Sequence, residues 1–84
     1  REGYRSGRRI ELTTREYELL AFFLRHPRQV LTRDQILSHV WGNTEVDSNA
    51  IEVHIGRLRD KLEAGGEGRM IQTIRGAGYA LREE

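Results

Sequence analysis

The sequence predicts an α+β domain in which three helices lie between two β-hairpins. Three observations carry this. Two capping boxes, Thr13-Thr14-Arg15-Glu16 and Thr32-Arg33-Asp34-Gln35, each open an apolar run. Ile51, Ile55, Leu58 and Leu62 recur at spacings of four, three and four, one stripe of an amphipathic helix over 47–62. Residues 71–75 and 79–82 read as strands on either side of Gly76-Ala77-Gly78.

In chain order, Tyr4, Ile10 and Leu12 alternate loosely about Ser6-Gly7, which predicts a hairpin turning there. Its pattern opens inside a strand, as expected of a piece of a longer protein. The first helix is predicted from Thr14 to Arg25, with Thr13 as N-cap and Leu12 against Tyr17 as a hydrophobic staple. Tyr17, Leu20, Ala21 and Leu24 are its expected core face, widened by Leu19, Phe22 and Phe23. His26-Pro27 ends it, because proline disfavours helix in the residue before it. Val30-Leu31 is a candidate short strand. The second helix follows from Arg33 to Val40 or Trp41, and Gly42 stops it. The third is expected to start at Asp47 as N-cap, with Val46 and Ile51 as staple, and to close before Gly65-Gly66. Trp41 is expected in the core.

Eighty-four residues make one domain, 1–84, with one modest core. No apolar run approaches the length of a transmembrane helix, and the polar, basic start is no signal peptide. There is no cysteine, so disulfide and thiolate-metal chemistry are excluded. His26, His39 and His54 form no i, i+4 ligand pair, and no nucleophile motif or phosphate-cradling glycine loop occurs. An enzyme, a metal and a cofactor are therefore not expected. The net charge of +1 is small, but positive residues gather at 1–9, 57–61, 69 and 75.

The outer face of the third helix is unusual. It carries Asn49, Val53, Gly56, Arg57 and Asp60, with Ala50 and Lys61 at its edge. A face turned only to water would be charged throughout. Small residues and a few polar groups suit a helix laid on another surface, and the DNA major groove admits one. The second and third helices then read as a helix-turn-helix variant, and the terminal hairpin as a wing beside it.

Four sets of residues also resemble a known family. They are Leu12 to Leu20; Val30 to Arg33 with Val40-Trp41-Gly42; Val53-His54-Ile55 with Arg57-Leu58-Arg59 and Lys61-Leu62; and Thr73 to Tyr79. In this order they cover nearly the whole chain, and it resembles the C-terminal winged-helix effector domain of OmpR/PhoB-type response regulators. The resemblance implies a winged helix-turn-helix with a three-helix core, a truncated N-terminal hairpin and a C-terminal hairpin wing. It implies a cytoplasmic bacterial transcription factor acting at the nucleoid, with a phosphorylated receiver domain upstream. Tandem dimers on direct-repeat half-sites of double-stranded DNA are expected. The third helix would enter the major groove and the wing the minor groove. The loop Gly42, Asn43, Thr44, Glu45 and Val46 would be a contact for RNA polymerase. No membrane partner is expected. Gly56 and Asp60 depart from the family, which often has basic residues there, and remove positive charge from the groove side.

Candidate site residues follow. Asn49, Val53 and Arg57 are the expected base contacts: asparagine suits adenine, an apolar side chain the thymine methyl, and arginine guanine. The alternatives are a capping Asn49, a lone exposed Val53, and an Arg57–Asp60 pair at i+3. Thr32, Arg33, His54, Arg59, Lys61 and Thr73 are expected at phosphates; capping for Thr32, a protein-bonded His54 and an Arg59–Glu63 pair stay open. Arg75 at the wing tip is expected in the minor groove, and an arginine in water is its alternative. A winged helix used for protein contact is the rival reading, with Val53 at the interface.

Overall fold

A computed structural model describes residues 1–42, 46–47 and 49–82. The order is β1 (Glu2–Arg5), β2 (Arg8–Glu11), α1 (Thr14–Arg25), α2 (Arg33–Ile36) running into a π-helical turn (Leu37–Trp41), α3 (Ala50–Leu62), β3 (Ile71–Ile74) and β4 (Gly78–Leu81). Each strand pair is antiparallel, β1 with β2 and β3 with β4. The first hairpin turns at Ser6 and Gly7, both at positive φ, as a tight two-residue turn requires.

Both capping boxes form. Thr13 Oγ1 accepts from the Glu16 N–H and Glu16 Oε1 from the Thr13 N–H; Thr32 and Gln35 do the same. Gly42 stops the second helix at φ 63°, its N–H donating to Ser38 O. Val30-Leu31 forms no strand. Leu31 makes one antiparallel bridge to Tyr79, with N–H to O bonds of 2.7 and 3.0 Å. This fastens the segment before α2 to the base of the wing.

The core joins Leu19, Phe22 and Phe23 of α1, Ile36, Val40 and Trp41, the α3 stripe Ile51, Ile55, Leu58 and Leu62, and Ile71, Tyr79 and Leu81 of the last hairpin. Here α1 departs from expectation. Its inward face is Leu19, Phe22 and Phe23, whereas Leu24 is 56% and Tyr17 37% exposed. Both stripes are apolar, so the packing partners decide which is buried; α3 lies on the Leu19–Phe23 side. Tyr17 is covered by the Arg1 guanidinium, 4.8 Å from its ring centre.

The start of α3 also differs. It begins at Ala50, not Asp47: the Ala50 N–H donates to Asp47 O in a preceding turn. Asn49 holds the cap position, but its side chain makes no cap bond. At the other end, hairpin arginines take the last carbonyls. Arg5 donates to Leu62 O (2.7 Å) and Gly68 O (2.6 Å), and Arg8 to Lys61 O and Leu62 O (3.3 Å each) and to Glu67. Positive charge at a helix C-terminus also complements its dipole.

Glu16 is buried at 2% exposure and bonds Lys61 of α3. Burial alone would raise its pKa. The Lys61 ammonium and the Thr13 N–H outweigh burial and hold the carboxyl below its usual range. A depressed folded pKa contributes stability above the unfolded carboxyl value, and that contribution is lost as pH falls through the folded one. Lys61→Met should cost about 1–2 kcal/mol at neutral pH, less than for a fully buried pair because the lysine is 37% exposed. The cost should shrink in acid, where Glu16 is protonated in both proteins; a pH-independent difference in urea unfolding would refute this.

Candidate nucleic-acid interface

One side of the molecule gathers most of the expected residues. Asn49, Val53 and Arg57 are all exposed along α3. Arg57 makes no ion pair among the described residues, so the Arg57–Asp60 alternative is not realised. Asn49 is exposed and does not cap with its side chain, so the capping alternative is not realised. A side chain at Gly56 would meet nothing within 4 Å, so this glycine keeps the face low without serving internal packing.

Beside this helix runs a groove lined by Thr32, Arg33, Asp34 and residues 73–79. It brings Thr32, Arg33, Thr73 and Arg75 together from α2, β3 and the wing turn. The turn closes with the Ala77 N–H on Ile74 O, and Gly76 takes φ 74°. Arg75 is exposed there, with no ion pair among the described residues. Gly78 is required by the groove floor. Its φ is 149°, and a Cβ would overlap the Leu31 carbonyl and lie 3.0 Å from Thr32 Cα.

The other expected cations are engaged internally. Arg59 donates to Ile71 O from Nε (2.9 Å) and Nη2 (2.7 Å), and Nη2 also reaches Thr73 Oγ1 at 2.8 Å. Burial pulls its pKa down. Glu63, the alternative partner of Arg59, pairs with Arg69. Lys61 points to Glu16 on the inner side. His54 is half-buried, its Nδ1 2.9 Å from Ala50 O and its ring edge-on to Trp41 at 5.2 Å. Trp41 is buried, as expected. Of the expected polymerase loop, Gly42 and Val46 are described, and Asn43, Thr44 and Glu45 lie outside the described residues.

Two groups at this surface were not singled out from the sequence. Glu52, on α3, accepts from Arg33 Nε (3.0 Å) and Nη2 (3.1 Å), and from the Tyr79 hydroxyl at 3.4 Å. Arg33 lowers the Glu52 pKa, and Glu52 raises that of Arg33. Burial, then the Glu52 charge, raises that of Tyr79. No local spacing signals these contacts, since each partner lies on a different element.

Residues 7–81 match the family described as "Transcriptional regulatory protein, C terminal". The chain belongs to this family. Its fold and order of motifs are those of OmpR/PhoB-type winged-helix domains, which regulate transcription and are not enzymes. Response regulator MprA of Mycobacterium ulcerans is 52% identical over 84 residues, covering 99% of the chain and 36% of MprA. The chain thus spans about a third of the length of such curated relatives. Among solved structures, the DNA-binding domain of E. coli CADC superposes with a TM-score of 0.89 at 32% identity, covering 99% of this chain and 79% of that one. The Klebsiella pneumoniae RstA DNA-binding domain, solved in complex with the RstA box, gives 0.83 at 28% identity, covering 98% and 83%. No helix among the described residues is long and apolar enough to cross a membrane.

Proposed function

We propose that the domain reads duplex DNA, with α3 in the major groove and the β3–β4 wing in the adjacent minor groove, as the output part of a two-component response regulator. The observation that carries this is the exposed outer face of α3 joined, through the Glu52–Arg33 and Arg59–Thr73 bonds, to the groove holding Thr32, Arg33, Thr73 and the wing-tip Arg75. Asn49, Val53 and Arg57 read base edges. Thr32, Arg33, Thr73 and His54 position the backbone. Arg59 and Lys61 leave the phosphate set, because Ile71, Thr73 and Glu16 hold their charged groups. Arg59 instead supports Thr73: a hydroxyl oxygen that accepts from arginine turns its own hydrogen outward, where a phosphate oxygen accepts it.

In the full protein, we place a receiver domain upstream, tandem dimers on direct repeats, a polymerase contact through the loop 42–46, and action in the cytoplasm at the nucleoid. Amide shift mapping with a random duplex at low salt tests the surface. Shifts should concentrate on residues 49–60 and 73–78; shifts that avoid both sink the reading. Selection from a random duplex library should return a direct repeat with ~10–11 base pairs between half-site centres, and a palindrome would count against tandem binding. Arg57→Ala should cost about 1–3 kcal/mol on the selected site and relax one base pair. Equal loss on selected and random DNA would make Arg57 a phosphate contact.

A further inference from the structure

We infer that Glu52 is a specificity-determining residue of this surface: it holds the Arg33 guanidinium as a phosphate would, and so keeps sequence-independent affinity for DNA low. The inference rests on the DNA reading above. Arg33 stands at the head of α2, in the groove that also holds Thr32, Thr73 and Arg75. Two of its nitrogens already meet the two Glu52 oxygens in a parallel, two-point pair, the geometry arginine uses on phosphate. Tyr79, another residue of the same groove, donates to Glu52 Oε2 and orients the carboxylate.

The pair has little reason to exist for stability. Arg33 is 45% exposed and Glu52 46%, and exposed pairs contribute little to folding. Its effect falls on binding. Backbone attraction is independent of sequence, so a cation withheld from the backbone lowers affinity for every duplex. A correctly docked site supplies base contacts along α3 that random DNA lacks, and this additional binding energy draws Arg33 off Glu52. The carboxylate therefore penalises random DNA more than the true site.

The test is a double-mutant cycle with Glu52→Gln and Arg33→Gln, read as affinity for a random duplex and for the selected site across a salt series. The amide keeps the shape of Glu52 and removes its charge. Glu52→Gln should bind random DNA more tightly and narrow the ratio between selected and random DNA. Its slope of log affinity against log salt should steepen by about 0.9, one further phosphate contact, so that the gain shrinks about three- to fourfold between ~50 and ~200 mM salt. The gain should vanish in the Arg33→Gln background. If Glu52→Gln gains equally in both backgrounds, the carboxylate acts only as a distant charge and the inference is overturned. An unchanged salt slope overturns it as well. Failure of the unsubstituted domain to bind any duplex at low salt would instead remove the DNA reading itself.

Discussion

Gly78→Ala should cost about 3 kcal/mol or more of folding stability, a large share of what a small domain has. The backbone there is at φ 149°, which side chains rarely adopt, and the added carbon would overlap the Leu31 carbonyl. That carbonyl cannot retreat cheaply. Its oxygen accepts from the Tyr79 N–H at 3.0 Å, and the Leu31 N–H donates back to Tyr79 at 2.7 Å. The bridge joins the wing to the segment leading into α2, so the damage should reach Thr32 and Arg33 and weaken DNA binding too. Urea unfolding measures the first effect and titration with the selected site the second. Gly56→Ala is the contrast: it stands in open space within α3, where alanine should stabilise the helix by up to about 1 kcal/mol. A Gly78 variant that loses less than the cost of an ordinary surface change would contradict the close approach seen here.

The second large effect is expected at the wing. Arg75→Ala should weaken binding to the selected site by about ten- to a hundredfold, roughly 1.4–2.7 kcal/mol, and Arg57→Ala should fall at the lower end of its range, about 1 kcal/mol, as the smaller loss. The reason is the scarcity of available cations. Gly56 and Asp60 leave Arg57 as the one cation at the centre of the α3 face, and Arg59 and Lys61 are occupied inside the fold. Arg75 stands exposed at the tip of its turn, and arginine suits a narrow, electronegative minor groove. Competition between the two single variants on one duplex settles the order. A smaller loss for Arg75→Ala would shift the weight back to the helix.

What the residues disclosed in advance was local. The capping boxes at Thr13 and Thr32 were legible because each needs only partners three residues apart. The α3 stripe was legible because Ile51, Ile55, Leu58 and Leu62 are its only buried residues. α1 resisted the same treatment: apolar side chains run nearly around it, so periodicity could not choose between Tyr17–Leu24 and Leu19–Phe23. The roles of Arg5, Arg8, Arg59 and Lys61 were hidden for another reason. Each is defined by a partner 12 to 63 residues away, and charge in a sequence carries no address. At the site, helical spacing and the terminal hairpin pointed to the outer face of α3 and to the wing before any resemblance was needed, whereas the Arg33–Glu52–Tyr79 contacts emerged only from the fold.

The bonding at the two ends of α3 has a mechanical consequence. Arg5 and Arg8 grip its final carbonyls and Arg59 ties its second half to β3, while Asn49 gives its first turn no side-chain bond. The helix is rooted at its far end through its backbone carbonyls, whereas the polar ties of its first turn run through one side chain, Glu52, to Arg33 and Tyr79. Amide exchange should therefore run faster at Val53 and His54 than at Leu58 and Leu62, and contact with DNA should slow the first pair most. Uniform exchange along the helix would show a rigid rod instead. Such a gradient would let the first turn adjust to a bound surface without disturbing the core beneath it.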